Sequence, residues 1–284
     1  MKKILFVLII CSLAFSCKKA SYPELDVKGH TLFTASVENI KFGTDASDNK
    51  WALDDNIGVF GSESGTNVKY ILKKAGEGVH DGEFYGPCVE GSDVVAYYPY
   101  KQVYNASFAG GLPSSLEGIQ QYVADNTALD QFLYYNPVAF AALRDGKLTF
   151  EYPYGLLQVK VMTDDVVEGF RLESPAAAIS GAGKYTAGGY VMDAASSKTV
   201  ELALSEPVHT KTDTGNTAFW FVLPCGSYAL LNLTITFEGG EESGCALQNI
   251  TIKRVTPTDF EVAAVEVGTD DLDGFVPETV EFDK

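Results

Sequence analysis

Alternation with a period of two, cut at short intervals by glycine, is the feature that most limits what this chain can become. It is clearest in Leu231-Asn232-Leu233-Thr234-Ile235-Thr236-Phe237, where the apolar residues fall on one side and Asn232, Thr234 and Thr236 on the other. Only an extended backbone sends successive side chains to opposite faces, so the run predicts a strand with one buried face. Leu148, Phe150 and Tyr152 repeat the pattern, as do Leu157, Val159 and Val161, and then Val200, Leu202 and Leu204. Glycine-rich breaks separate the runs at Gly76-Glu77-Gly78, Gly110-Gly111, Gly188-Gly189 and Gly239-Gly240, and Asp145-Gly146 is a hairpin signal. Many short strands with turn residues between them predict an all-β chain of sandwich or barrel type.

The runs divide into two groups of similar size. The expected order is a first β-sandwich over 30–164 and a second over 165–284, with the boundary at the polar break Thr163-Asp164-Asp165. One segment, Ser114 to Tyr135, argues for helix, because Leu116, Ile119, Tyr122 and Val123 stand at helical spacing behind Ser114 and Ser115. Asp125-Asn126-Thr127 interrupts it, so a long, partly helical connection is expected there.

The N-terminus is an address. Lys2 and Lys3 precede the apolar stretch Ile4 to Ile10, and Leu13-Ala14-Phe15-Ser16-Cys17 closes it. The stretch is shorter than the ~20 residues of a spanning helix. Small residues before a cysteine mark a lipoprotein signal, removed as residues 1–16, with Cys17 becoming the acylated first residue. Several acyl chains on Cys17 supply stable anchoring, and the polar residues 17–29 form a tether.

Charge and cysteine content narrow the function. The chain has 21 Lys and Arg against 38 Asp and Glu, and removal of Lys2 and Lys3 leaves 19 basic residues. Such an acidic chain repels nucleic acid. Of the 5 cysteines, Cys88, Cys225 and Cys245 remain besides Cys17 once the signal is gone. An odd number cannot pair completely, and Cys225 with Cys245, which flank the strand Leu230 to Phe237, is the candidate disulfide. Catalysis has no motif to stand on: His30, His80 and His209 are far apart, and neither a G-x-S-x-G elbow nor H-E-x-x-H occurs. Asp271-Leu272-Asp273-Gly274 lacks the further acids of a calcium loop, so neither a metal nor another cofactor is expected.

Several segments together resemble the fimbrillin-like lipoproteins of Bacteroidales, from about residue 30 to 255. Trp51-Ala52-Leu53-Asp54-Asp55-Asn56-Ile57-Gly58-Val59-Phe60-Gly61 is similar to the family's W-x-x-G-D-x-I-G-V-F segment. Gly82-Glu83-Phe84-Tyr85-Gly86, then Val94-Val95-Ala96-Tyr97-Tyr98-Pro99-Tyr100, Ile179-Ser180-Gly181-Ala182-Gly183 and Phe221-Val222-Leu223-Pro224-Cys225-Gly226-Ser227-Tyr228 follow in the family's order. The resemblance implies two tandem transthyretin-like (Greek-key) β-sandwich domains and a lipid-anchored subunit of cell-surface fimbriae at the outer membrane. In that family, proteolysis removes a first strand and a neighbouring subunit's strand fills the groove. The implied partners are therefore other fimbrial subunits, or a second copy by strand exchange, besides the membrane lipid at Cys17.

The sequence departs from the family at informative places. Its arginines are Arg144, Arg171 and Arg254, so an arginine-specific cut behind the first strand is excluded, and Lys41 or Lys50 would have to serve. Asp54 stands where the family has glycine, and Cys225 is inserted between Pro224 and Gly226. These departures favour a subunit that stays lipidated, such as an anchor or accessory component, or a relative with no fimbrial role, over a stalk subunit. Under the same reading, Phe275, Val280 and Phe282 near the C-terminus are candidate plugs of a donor strand; the alternative is a last strand of the chain's own domain. A second functional class stays open from composition: Tyr97, Tyr98, Tyr100, Tyr104, Tyr122, Tyr134 and Tyr135 offer ring faces for host or bacterial glycans.

Overall fold

The computed structural model describes residues 30–36, 51, 55–63, 65–74, 81–104, 106–122, 128–136, 138–212, 215–253 and 263–268. In chain order the elements begin with β1 (His30–Ser36), β2 (Asn56–Gly61), β3 (Val68–Lys74), β4 (Asp81–Pro87) and β5 (Val94–Tyr98). Then come β6 (Leu112–Leu116), β7 (Ile119–Tyr122), α1 (Ala128–Tyr135), β8 (Ala139–Arg144), β9 (Lys147–Thr149) and β10 (Tyr154–Met162). The second half holds β11 (Val166–Glu173), β12 (Gly181–Thr186), β13 (Gly189–Met192), β14 (Thr199–His209) and β15 (Lys211–Thr212). It closes with β16 (Gly215–Pro224), β17 (Gly226–Phe237), β18 (Glu242–Ile252) and β19 (Ala263–Gly268).

The described residues are all-β apart from α1, and one strand order occurs twice. In the first half, β1 pairs antiparallel with β4 and parallel with β9, while β2 lies between β3 and β5, and β5 pairs β8. In the second half, β10 pairs antiparallel with β16 and parallel with β19, while β11 lies between β14 and β17, and β17 pairs β18. Counted within each body, the same positions pair in both. The first body adds the β3–β4 and β8–β9 pairings and so closes into a barrel, whereas the second leaves two facing sheets. The first body thus differs from the sandwich expected for it. Its three-residue β9 is reached from β8 through Asp145-Gly146, both at positive φ, and so lands beside β1.

The alternating runs bury the faces assigned to them. Leu231, Leu233, Ile235 and Phe237 are buried together with Leu157, Val159 and Val161 in the core of the second body. Leu148, Phe150 and Tyr152 lie in the first core with Phe33, Trp51 and Phe84. The Thr163-Asp164-Asp165 break is not a linker. It is the turn between β10 and β11, with Thr210 Oγ1 donating to the Thr163 carbonyl at 2.9 Å. The chain passes between bodies earlier, through buried Phe150, Tyr152 and Tyr154.

The two bodies interlock. The segment between β5 and β8 leaves the barrel: β6 pairs antiparallel with β12, and β7 extends the second body's sheet by running parallel to β14. Among the described residues helix is therefore confined to α1, and the helical spacing from Leu116 to Tyr122 belongs to two strands. Pairing with distant strands overrides local pattern here. Gln120, fully buried, fixes the crossing: its Nε2 donates to the Val222 carbonyl at 2.7 Å, and the Val222 amide donates to its Oε1 at 2.9 Å. A third cluster, with Phe60, Tyr97, Phe140 and Tyr185, fills the space between the outer barrel face and the β6–β12–β13 sheet.

Candidate functional site

The barrel is closed at β1, where aromatic rings, glycines and strand register together define a specific geometry. Seven residues of β1 face β4, from His30 opposite Pro87 to Ser36 opposite Asp81, and Thr34 to Ser36 run beside β9. Phe33 and Ala35 point into the core, while Leu32 is 45% exposed. Opposite these inward positions β4 carries Phe84 between two glycines, Gly82 and Gly86. The glycines are required by aromatic rings. A β-carbon on Gly82 would lie 2.6 Å from Trp51 Cδ1, and one on Gly86 would lie 2.6 Å from Tyr70 Cδ2.

Trp51 is held in this place from three sides. Its ring meets Phe84 edge-on at 4.8 Å and Tyr98 at 5.4 Å, and its Nε1 donates to the Ala35 carbonyl at 2.9 Å. Tyr70 packs 5.4 Å from Phe33 and donates its hydroxyl to the Pro87 carbonyl at 2.7 Å. Burial, the main cause, raises the Tyr70 hydroxyl above its ordinary pKa. On the outer side, Lys147 of β9 bridges to Asp81 of β4 at 2.9 Å, across the end of β1. Half-exposed, this pair stabilises by at most about 1 kcal/mol. Burial of Phe33 contributes more, on the order of 1.5–3 kcal/mol.

The open edges lie in the second body and on the small sheet. Among the described strands, β18 and β7 edge one sheet of the second body, β15 and β19 edge the other, and β13 and β6 edge the three-stranded sheet. The β18 edge is the longest, and after Glu242 its residues Ser243 to Ile252 carry no charge. Natural edges are usually blunted by charge or proline.

The residues singled out from sequence are scattered. Cys17, Lys41, Lys50, Phe275, Val280 and Phe282 lie outside the described residues, as does His80. Cys225 and Cys245 are not joined by a disulfide. Cys245 pairs with Leu233 across the hairpin, and Cys225 lies eight positions from Leu233, or roughly 26 Å along a strand. A disulfide needs Cα atoms within ~7 Å. Sequence adjacency to one strand therefore concealed opposite ends of it. His30 and His209 are exposed at separate strand ends. Among the described residues no group of three His, Cys, Asp or Glu could hold a metal ion.

The tyrosines do not form a common platform. Tyr97, Tyr122 and Tyr135 are buried, and Tyr104 stacks on Tyr97 at 4.3 Å. Tyr98 packs on Trp51 and donates to Asp55 Oδ1 at 2.7 Å, leaving Tyr134, at 70%, as the broadly exposed ring of the set. A separate open groove of about 570 Å3 lies over β6 and β12, lined by Ser107, Ser115, Lys184 and Asp193 among others. It has no aromatic floor. Sequence reasoning quoted Trp51 and the Gly82–Gly86 segment as motifs but missed their joint role. The alternation Gly-x-Phe-x-Gly was the available signal, since inward glycines in a strand mark a close approach.

No family model matches the chain, and no curated protein matches it. Solved structures similar to it include candidate cell adhesion proteins, candidate adhesins and fimbrial proteins of Bacteroides and Porphyromonas species. A candidate cell adhesion protein of Bacteroides ovatus is 17% identical, with 78% of this chain and 87% of that one covered at a TM-score of 0.41. The C-terminally truncated tip fimbrial protein Mfa3 of Porphyromonas gingivalis is 11% identical, with 80% and 83% covered at a TM-score of 0.36. A candidate adhesin of Bacteroides ovatus is 12% identical, with 87% and 94% covered at a TM-score of 0.42.

Proposed function

We propose that this chain is an outer-membrane-anchored, fimbrillin-like lipoprotein, non-catalytic, acting as a structural, anchor or accessory subunit of cell-surface fimbriae through β-strand addition. The observation that carries the reading is the β1 slot. A single terminal strand closes the barrel between β4 and β9, and only the connection 37–50 joins it to Trp51. A cut at Lys41 or Lys50 would leave β1 held by pairing and packing alone. Its departure would take Cys17 and the lipid anchor with it, so that anchoring belongs to the uncut subunit, and would expose two strand edges and the Trp51–Phe84–Tyr70 floor, which another extended segment can cover. The recurrence of one seven-strand order in both bodies supports the tandem transthyretin-like reading. Cys17 behind its signal supports anchoring, and lipid-anchored placement fits the acidic, exported character of the chain.

The glycan-binding alternative draws on tyrosines that are mostly spent in the core, so it ranks second. The two are separated by recovering the protein from the outer membrane of its native host for intact mass and gel sizing. Strand addition predicts high-mass ladders that survive mild denaturant and contain this chain. An acylated Cys17 on a species that runs solely as a monomer, with no fimbrial partner in pull-down, would overturn the fimbrial reading.

A further inference from the structure

Each body begins and ends with neighbouring parallel strands. In the first, β1 runs beside β9 from Thr34 opposite Lys147 to Ser36 opposite Thr149. In the second, β10 runs beside β19 from Leu157 opposite Ala263 to Met162 opposite Gly268. Parallel neighbours place the start of one strand and the end of the other at opposite ends of their ladder. Tension along the chain therefore drags the two strands past each other along their length, and every rung is loaded at once. Antiparallel strands pulled from one end part a rung at a time. Sliding has a second cost, because one residue of slip, about 3.3 Å, turns every inward side chain to the opposite face. Phe33 and Ala35 on β1, and Leu157, Val159 and Val161 on β10, are buried, so a slip breaks rungs and core packing together.

The passage between the bodies is tied on both sides. Glu151 and Phe140 exchange backbone hydrogen bonds at 2.7 and 2.9 Å, and the Cys225 amide donates to the Pro153 carbonyl at 3.1 Å. The β6–β12 and β7–β14 pairings bridge the bodies beside it. The two ends of the chain differ in hold. β1 is gripped on its other side by seven pairs to β4, whereas β19 has β10 as its one neighbour among the described strands. Resting on the reading of a surface subunit anchored at one end, we infer a further function: the chain is a load-bearing link. The parallel pairs β1–β9 and β10–β19 are clamps in series against tension between its two termini, and β19, held on one side, is where the link yields. Load reaches β10 from the first body whether β1 or another strand fills the slot, so the second clamp serves in either state.

The test stretches the full mature chain in an optical trap, between DNA handles joined by click chemistry to azido residues. One handle pair sits at positions 29 and 269 and loads both clamps. The other sits at Ser227 and Thr251, exposed partners at the open end of the antiparallel β17–β18 hairpin, and unzips it. At one loading rate, rupture from 29 and 269 should need at least about twofold more force, since rungs break together rather than in turn. Lys160 and Glu266 face each other across β10 and β19, so Lys160→Cys with Glu266→Cys can be oxidised to lock the second clamp at neighbouring-strand spacing. The oxidised lock should raise the first rupture force by moving the yield point to β1, and reductant should return it to the unlocked value. Rupture from 29 and 269 at or below the force needed at 227 and 251 overturns the load-bearing assignment. An unchanged first rupture in a chain whose mass shows the lock closed overturns β19 as the yield point. These forces are read on isolated chains, so a high rupture force without fimbrial ladders in the host overturns the fimbrial reading and leaves the clamps standing.

Discussion

Replacing Gly82 by alanine adds one carbon, and Trp51 decides the sign of the effect. In an open strand site the change stabilises by about 0.4–1 kcal/mol, because the unfolded chain loses freedom. At Gly82 the new carbon would lie 2.6 Å from Trp51 Cδ1 and 2.7 Å from Leu72 Cδ1. Leu72 can yield, since the contact is the end of a flexible side chain. Trp51 cannot, because it is wedged against Phe84 and Tyr98 and bonded to the Ala35 carbonyl. Overpacking of this kind costs about 1–3 kcal/mol. Trp51→Leu alone loses a buried hydrogen bond and ring packing, about 3 kcal/mol. It also vacates the space that alanine needs, so the double variant should be about 1–2 kcal/mol more stable than additivity gives. Urea unfolding followed by far-ultraviolet circular dichroism reads all four corners of the cycle. A neutral or stabilising Gly82→Ala, or a strictly additive cycle, would refute the claim that Trp51 forms the slot floor.

Gln120→Ala should cost about 2–4 kcal/mol, because it strands the buried Val222 amide and carbonyl. Gln120→Glu should be no better, since a carboxylate has no proton for the Val222 carbonyl; a loss below ~0.5 kcal/mol in urea unfolding would contradict the interlock. Alkaline pH should destabilise the fold. Burial raises the hydroxyls of Tyr152, Tyr190 and Tyr228 well above their ordinary value. Their stabilisation is full below the unfolded pKa of about 10 and falls as pH rises beyond it, because only the unfolded chain releases the protons. Urea midpoints that stay constant from pH 9 to about 11, with phenolate absorbance unchanged on unfolding, would count against this. Alkylation under denaturing, non-reducing conditions should label both Cys225 and Cys245; a mass lower by two hydrogens that resists alkylation would restore the disulfide.

Strand positions and inward faces were legible because alternation is local. Leu231 to Phe237 needs no partner to declare which side is apolar. The crossing of β6 and β7 was not legible: Leu116, Ile119 and Tyr122 suit a helix equally well, and only β12 and β14, more than sixty residues later, settle the matter. Gln120 is a polar residue that reads as surface until Val222 is seen beside it. The passage between bodies was misplaced for a related reason. A polar break suggested a linker, yet the true passage at Phe150 and Tyr152 is apolar because it lies within the barrel core. At the candidate site, Gly82, Phe84 and Gly86 stood in plain view, but the rings that require those glycines come from Trp51 and Tyr70 on other elements.

The central claim is that β1 must leave its slot for this subunit to join a neighbour. Thr34 and Glu83 face each other across β1 and β4, so Thr34→Cys with Glu83→Cys can lock the strand in place at cross-strand Cα spacing. Expressed in the native host, the locked chain should still reach the outer membrane but be missing from high-mass fimbrial ladders, and reductant should restore its entry. Equal incorporation of the locked and unlocked chains would contradict the account.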